Sequence, residues 1–238
     1  MREILPAILA DDAETFRERL LFPGFWQPGM TAHVDILDGS MFGATCFYDP
    51  TAVHTLSDHS PRPATGSSSA LAGGEFPSGI ELHCMVRNPL PVIERWKTLV
   101  PQTMRAIVHA EIDRPLHELF HRIHDLGLEF GLAFCPETST ELIKTLPALP
   151  ERVLMMGINP GASGRPFMGE PILAKIRRLH AQHPSLHIAV DGGVTQDNAE
   201  NILIAGASSL VAASAIWATP HPRERYEHLI HSAALHDE

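Results

Sequence analysis

Only three cysteines occur in 238 residues, Cys46, Cys84 and Cys135. They lie far apart, without the paired spacing of a zinc ribbon or the even count of a disulfide framework, which points to a reducing, cytoplasmic setting. No apolar run approaches the roughly 18 residues that a membrane span needs, so a soluble chain with no membrane partner is expected. Positive charge is also scarce: 18 Lys and Arg stand against 28 Asp and Glu, a formal charge of −10. Nucleic-acid binders usually carry a basic patch, so no nucleic-acid partner is expected. A small anionic substrate stays compatible with that charge, because a few local donors can hold one phosphate against the mean field. At the N-terminus acidic residues follow a short apolar stretch at once, and no signal-peptide core develops.

What is present is a rhythm. Short β-type runs recur at 4–9, 32–35, 80–85, 105–109, 129–134, 152–156, 187–190 and 209–212. Helical patterns lie between them at 13–20, 91–99, 115–126, 139–146, 171–180 and 196–205, the last four with apolar residues at three- and four-residue intervals. Strand and helix alternation implies parallel strands joined by crossovers, and eight strands suffice to close a barrel. The chain therefore reads as a single (β/α)₈ TIM-barrel domain over 1–238, an open doubly wound sheet being the alternative. One segment breaks the rhythm: 57–79 is rich in Ser, Gly, Pro and Ala and too poor in large apolar residues to build a core. It reads as a flexible insertion before the third strand, either an active-site lid or a tolerated surface loop. A helix-to-strand connection emerges at the face opposite the usual barrel site, which favours the surface loop.

Within the run HisValAspIleLeuAspGly at 33–39, His33 and Asp35 are two apart on a strand and project from the same face. His83 sits in the next strand between apolar neighbours, and Asp191 ends the seventh before Gly192 and Gly193. Four such groups aimed into a barrel would be costly to bury unpartnered, and one divalent cation would serve all four. Mixed imidazole and carboxylate ligation suits Zn²⁺, Fe²⁺, Mn²⁺ or Co²⁺ better than Ca²⁺. A second theme is anion binding. Gly161 and Gly164 follow strand six, Gly192 and Gly193 follow strand seven, and Ser214 follows strand eight, where barrels often hold phosphate on backbone N–H groups. Arg165 could add a charge-assisted contact or be a solvated surface arginine. The His-rich stretch 117–124 reads as a solvated helix face.

Taken in order over nearly the whole chain, HisValAspIleLeuAspGly, LeuHisCysMet, AsnProGly with a downstream Phe, and ValAspGlyGlyVal resemble the ribulose-phosphate 3-epimerase family. The resemblance implies a metal-dependent barrel that inverts carbon 3 of D-ribulose 5-phosphate to give D-xylulose 5-phosphate. It carries the ligands onto His33, Asp35, His83 and Asp191, the acid/base pair onto Asp35 and Asp191, and two methionines flanking the reacting centre onto Met85 and Met156. Residue chemistry agrees with that assignment: abstracting a proton beside a ketone creates an enediolate whose charge a metal can stabilise, and inversion then needs two proton carriers but no organic cofactor. The sequence also departs from the family. Ala7 stands where the family has a serine that contacts substrate, 40–44 and the loop 162–165 differ, and AlaSer at Ala213–Ser214 replaces GlySer. The metal set is whole, whereas groups that would touch sugar hydroxyls and phosphate are altered, so another small phosphorylated ketose is an alternative substrate. A Schiff-base aldolase is disfavoured because no predicted strand contains Lys, and a non-catalytic sugar-phosphate-binding relative is the reading from another class. Oligomeric state is left open, a homo-oligomer being compatible.

Overall fold

The computed structural model of the chain describes residues 2–22, 24–53, 76–161 and 164–234. Eight strands, β1 (Glu3–Ile8), β2 (Thr31–Leu37), β3 (Gly79–Met85), β4 (Thr103–His109), β5 (Glu129–Phe134), β6 (Arg152–Met156), β7 (Ile188–Asp191) and β8 (Ser209–Ala212), form a closed barrel in sequence order. Every neighbouring pair is parallel, including the closing pair β1 and β8. The expected (β/α)₈ barrel is the observed fold. Around it run α1 (Ala13–Leu20), α2 (Pro89–Leu99), α3 (Leu116–Asp125), α4 (Glu170–Gln182), α5 (Gln196–Ile204), α6 (Ser214–Trp217) and α7 (Pro222–Ala234). Among the described residues no helix is long and apolar enough to cross a membrane.

Local chemistry explains the elements. Asp12 caps α1 by accepting from the Thr15 N–H at 2.8 Å, and Phe16 and Leu20, four apart, form its buried stripe. In α2 a proline occupies the first turn, where its missing N–H leaves no intrahelical bond unmade, and Ile93 and Trp96 face the barrel. The stretch 139–146, expected as a helix, is instead a 3₁₀ helix over Thr140–Thr145. Pro147 forces Leu146 into an extended conformation with ψ 152°, so too few residues remain after the Ser139 cap for regular α turns. The expected insertion at 57–79 lies outside the described residues up to Glu75.

Strand alternation divides the core in two. One set, including Ile8, Val34, Ile36, Leu82, Val108, Phe130 and Val190, packs against the helices. The other fills the barrel with Leu5, Ala7, Ile107, Ala133, Leu154, Met156, Ala189 and Val211. Toward the amino-terminal ends of the strands the interior is ionic. Glu81 Oε2 accepts from Arg105 Nη1 at 2.6 Å and from Arg152 Nη1 at 3.2 Å. Arg152 continues to Glu3 at 2.9 Å, and Arg105 to Glu129. The Glu81 carboxylate is fully buried, and burial alone would oppose its charge. Its hydrogen bond with His33 and the charges of Arg152, His33 and Arg105 outweigh that cost and hold it well below the usual carboxylate range.

Removing one member of a buried ion network leaves its partners uncompensated. Glu81→Gln is expected to lower the unfolding free energy in urea by about 3–5 kcal/mol, and a loss under about 1 kcal/mol would show that Arg105 and Arg152 find other partners.

Candidate active site at the carboxyl mouth

Register brings the candidate ligands together. Asp35 of β2 lies opposite His83 of β3, and Asp191 of β7 lies opposite Met156 of β6. One ligand atom from each of His33, Asp35, His83 and Asp191 lies within 4.8 Å of the others. His83 Nδ1 is 2.9 Å from Asp35 Oδ1 and 3.5 Å from Asp191 Oδ2, while His33 Nε2 faces Asp35 Oδ1 at 3.5 Å. Behind this group, His33 Nδ1 meets Glu81 Oε1 at 2.6 Å. His33 Nε2 is buried without a hydrogen-bond partner. An orphaned ring nitrogen aimed at converging carboxylates, with a second imidazole alongside, is a donor set that fits a divalent cation of N/O preference. His33 Nε2, His83 Nδ1 and the two carboxylates are the groups that would hold it.

The ionisable groups are strongly biased. Burial opposes charge on His33, yet the Asp35 and Glu81 carboxylates outweigh it and raise its pKa to about 10. Burial likewise opposes charge on Asp35, but the imidazoles of His33 and His83 beside it hold its carboxyl well below the usual range. Asp191 is pushed the other way, first by burial and then by the Asp35 charge. Two carboxyls at one mouth thus differ in state, one ionised and one drawn toward its protonated form.

Above them opens a cavity of about 640 Å³, lined by both aspartates together with Met85, Met156, Gly161, Gly164, Gly192, Gly193 and Ser214. Arg165 is exposed and outside that lining, although its carbonyl would lie 3.0 Å from a Cβ at Gly193. Close backbone approach demands the glycines here. Gly193 has φ +71°, and a Cβ there would sit 2.4 Å from the Phe167 nitrogen. Gly157 donates its N–H to the Asp191 carbonyl at 2.6 Å, and its Cβ would stand 2.3 Å from the Gly192 carbonyl. Ala7, in the barrel interior opposite His33, offers no hydroxyl to the site. In the His-rich helix, His117 and His121 are exposed, and His124 is engaged by the Phe120 carbonyl at 2.8 Å and by Glu151.

Sequence reasoning did not single out Glu81, His109, Glu111 or Cys135. His109 ends β4 and is fully buried, its Nε2 2.9 Å from His83 Nε2 and its Nδ1 3.0 Å from Glu111 Oε2. Burial, ahead of every other influence, lowers the His109 pKa to about 4. A usable signal existed: HisAlaGlu at 109–111 has the same spacing of two at a strand's carboxyl end as His33 and Asp35.

A closed parallel barrel with a His/Asp cluster at its carboxyl mouth defines a class of site in which imidazoles and carboxylates could share one ion. Within that class, the sequence profile of the ribulose-phosphate 3 epimerase family matches residues 68–217, and the chain belongs to that family. It is 35% identical over 141 residues to a ribulose-phosphate 3-epimerase of Chlamydia muridarum, a match covering 57% of this chain and 60% of that relative. The chain thus spans about three fifths of that relative's length. A Schizosaccharomyces pombe protein of the same name is 26% identical over 228 residues, covering 93% of this chain and 90% of the relative. Among solved structures, the tryptophan synthase α-subunit of Pyrococcus furiosus superposes with a TM-score of 0.64 at 14% identity, covering 97% of this chain and all of that one, a likeness of fold.

Because the Gly157 N–H holds the Asp191 carbonyl, Gly157→Ala is expected to keep the barrel's far-ultraviolet circular dichroism while, on the function proposed below, cutting turnover by about 10²-fold, the cost of a displacement of about 1 Å in a reacting group. Unchanged turnover would show that β7 tolerates the shift.

Proposed function

We propose that the chain is a metal-dependent ketose-phosphate 3-epimerase that interconverts D-ribulose 5-phosphate and D-xylulose 5-phosphate. The carrying observation is the convergence of the Asp35 and Asp191 carboxyls on one cavity beside His33 and His83, with the Asp35 carboxyl lowered by its imidazole neighbours and the Asp191 carboxyl raised by burial and the Asp35 charge. Membership of the family supports the same reading.

Asp35, kept ionised by His33 and His83, takes the proton from carbon 3 on one face of the ketose. Asp191 supplies a proton to the opposite face, so configuration inverts, and in the reverse direction the two exchange roles. His33, Asp35, His83 and Asp191 would hold a divalent ion, whether Zn²⁺, Fe²⁺, Mn²⁺ or Co²⁺, which when bound would supply Lewis acidity to the developing negative charge. His33 is held by Glu81, which orients its Nε2 toward the centre. No step calls for an organic cofactor. Met85 and Met156 give the cavity apolar, polarisable walls beside the carboxyls. We assign the substrate phosphate to the backbone of Gly161, Gly164, Gly192 and Gly193 with Ser214, and to Arg165 a charge nearby at the rim. One observation favours a neighbouring substrate: Ala7 removes a hydroxyl from the interior, so the same chemistry on another ketose phosphate is the second reading.

The test follows interconversion of the two pentulose phosphates by metal-loaded and chelator-stripped protein in deuterated solvent. Turnover that depends on metal and places deuterium at carbon 3 is expected; its absence from folded, metal-loaded protein would overturn the pentulose assignment. Asp191→Asn is expected to lower turnover by about 10²- to 10⁴-fold with metal still bound, the contribution of a positioned proton carrier. Near-normal epimerisation would remove Asp191 from proton transfer.

A further inference from the structure

We propose that His109 and Glu111 are positioning residues that fix the proton of His83 on Nε2 and thereby leave Nδ1 as the donor atom facing Asp35 and Asp191. The inference rests on the reading of the four-residue cluster as a metal centre. Its basis is a chain of contacts running away from that cluster: His83 Nε2 to His109 Nε2 at 2.9 Å, His109 Nδ1 to Glu111 Oε2 at 3.0 Å, and the Cys135 N–H to Glu111 Oε1 at 2.8 Å.

Two ring nitrogens at 2.9 Å must share one proton, since two lone pairs or two N–H groups would repel. If His83 carries it, neutral His109 bears its own proton on Nδ1 and donates to the Glu111 carboxylate, and every contact pairs a donor with an acceptor. If His109 carries it on Nε2, the neutral ring turns a bare Nδ1 lone pair toward a carboxylate oxygen 3.0 Å away. Protonating both nitrogens would relieve that clash, but His109 is fully buried, where a charged ring is disfavoured. With a cation at the cluster to meet the His83 Nδ1 lone pair beside Asp35, the first arrangement alone satisfies all partners. It leaves His83 with its lone pair on Nδ1, the atom 2.9 Å from Asp35 and 3.5 Å from Asp191. The His109 ring is further held by the edge of Phe42, with centroids 4.9 Å apart. Each histidine of the centre is then backed by a carboxylate, His33 by Glu81 directly and His83 by Glu111 through an intervening ring.

A competing use of the same atoms is excluded by this arrangement. His109, Glu111 and Cys135 could themselves surround an ion, with Cys135 Sγ 3.7 Å from His109 Nδ1. An ion on Nδ1 would move the His109 proton to Nε2 and force His83 into its Nδ1–H form, abolishing the donor atom of the larger cluster. With neutral rings, the two sites cannot be filled together.

The experiment titrates Zn²⁺ into chelator-stripped full-length protein by calorimetry, comparing wild type with His33→Ala, His109→Phe and Glu111→Gln, and records ¹⁵N spectra of histidine-labelled, zinc-loaded protein. One ion per chain is expected, bound about 10- to 100-fold more weakly by His109→Phe, the usual cost of losing an outer partner of a metal-binding histidine. Glu111→Gln should weaken binding less, because an amide oxygen can still accept from Nδ1–H. The spectra should show His109 protonated on Nδ1 and bare on Nε2. Wild-type affinity in His109→Phe, two ions per chain, or a His109 proton on Nε2 would each overturn the proposal. Equal binding by wild type and His33→Ala would instead overturn the metal centre on which it stands. Should His109→Phe fail to fold, the wild-type spectra and Glu111→Gln decide.

Discussion

A single buried carboxylate ties the ionic end of the barrel to its mouth. Glu81 gives one oxygen to Arg105 and Arg152 and the other to His33, with no exposure to solvent. A lone carboxylate moved into such an interior would cost several kcal/mol, and only close pairing with further hydrogen bonds offsets that cost. Meeting this requirement has a consequence at the other end of His33. With Nδ1 engaged by Glu81, Nε2 is the atom turned toward Asp35, and it is the nitrogen that finds no protein partner. The same interaction that closes the barrel interior therefore leaves one unsatisfied donor atom at the site.

Strand geometry supplies the remaining convergence. Side chains two apart share a face, so β2 contributes His33 with Asp35, and β3 contributes Glu81 with His83. In β3 the inward positions Glu81 and His83 thus serve the ionic layer and the mouth in turn, and the register of Asp35 against His83 aligns the mouth between strands. Low effective dielectric then separates the two aspartates. Burial and the Asp35 charge raise the Asp191 carboxyl to about 6, whereas the imidazoles favour the charged form of Asp35.

Much of this was legible because it rests on local spacing. All eight strands were readable as β-branched and apolar runs, and His33 with Asp35 declared a shared face by their separation alone. The failures have physical causes. A helix was expected at 139–146 from apolar periodicity, but Pro147 dictates the backbone of the residue before it and leaves a 3₁₀ turn. α7 carries polar and charged residues between its apolar contacts at Tyr226, Leu229 and Ala233, a dilute stripe with little periodic signal. Glu81 was invisible as a partner because nothing in one strand states that arginines one and three strands along in sequence, Arg105 and Arg152, arrive beside it. His109 and Glu111 showed the right spacing, yet their importance lies in a contact with His83 that only the pairing of β3 with β4 creates.

The departures from the family pattern fall unevenly over the site, and strand packing explains why. Ligand positions lie inside the barrel, where each side chain is fixed by neighbours on two strands and by charged partners, so a change at one position strands a buried charge at another. The anion side of the cavity is built from Gly161, Gly192 and Gly193, whose contribution is backbone geometry. Neighbouring side chains there can change while the N–H groups persist, provided the glycines that permit close approach remain. Ala7 belongs to neither case. It is interior, opposite His33, and a missing hydroxyl there removes one substrate contact worth about 0.5–1.5 kcal/mol without unpairing any protein group. On the proposed reading, proton-transfer chemistry and sugar recognition are thus separable in this barrel: the first is locked by buried charge, and the second can vary at positions whose loss leaves no buried group unsatisfied.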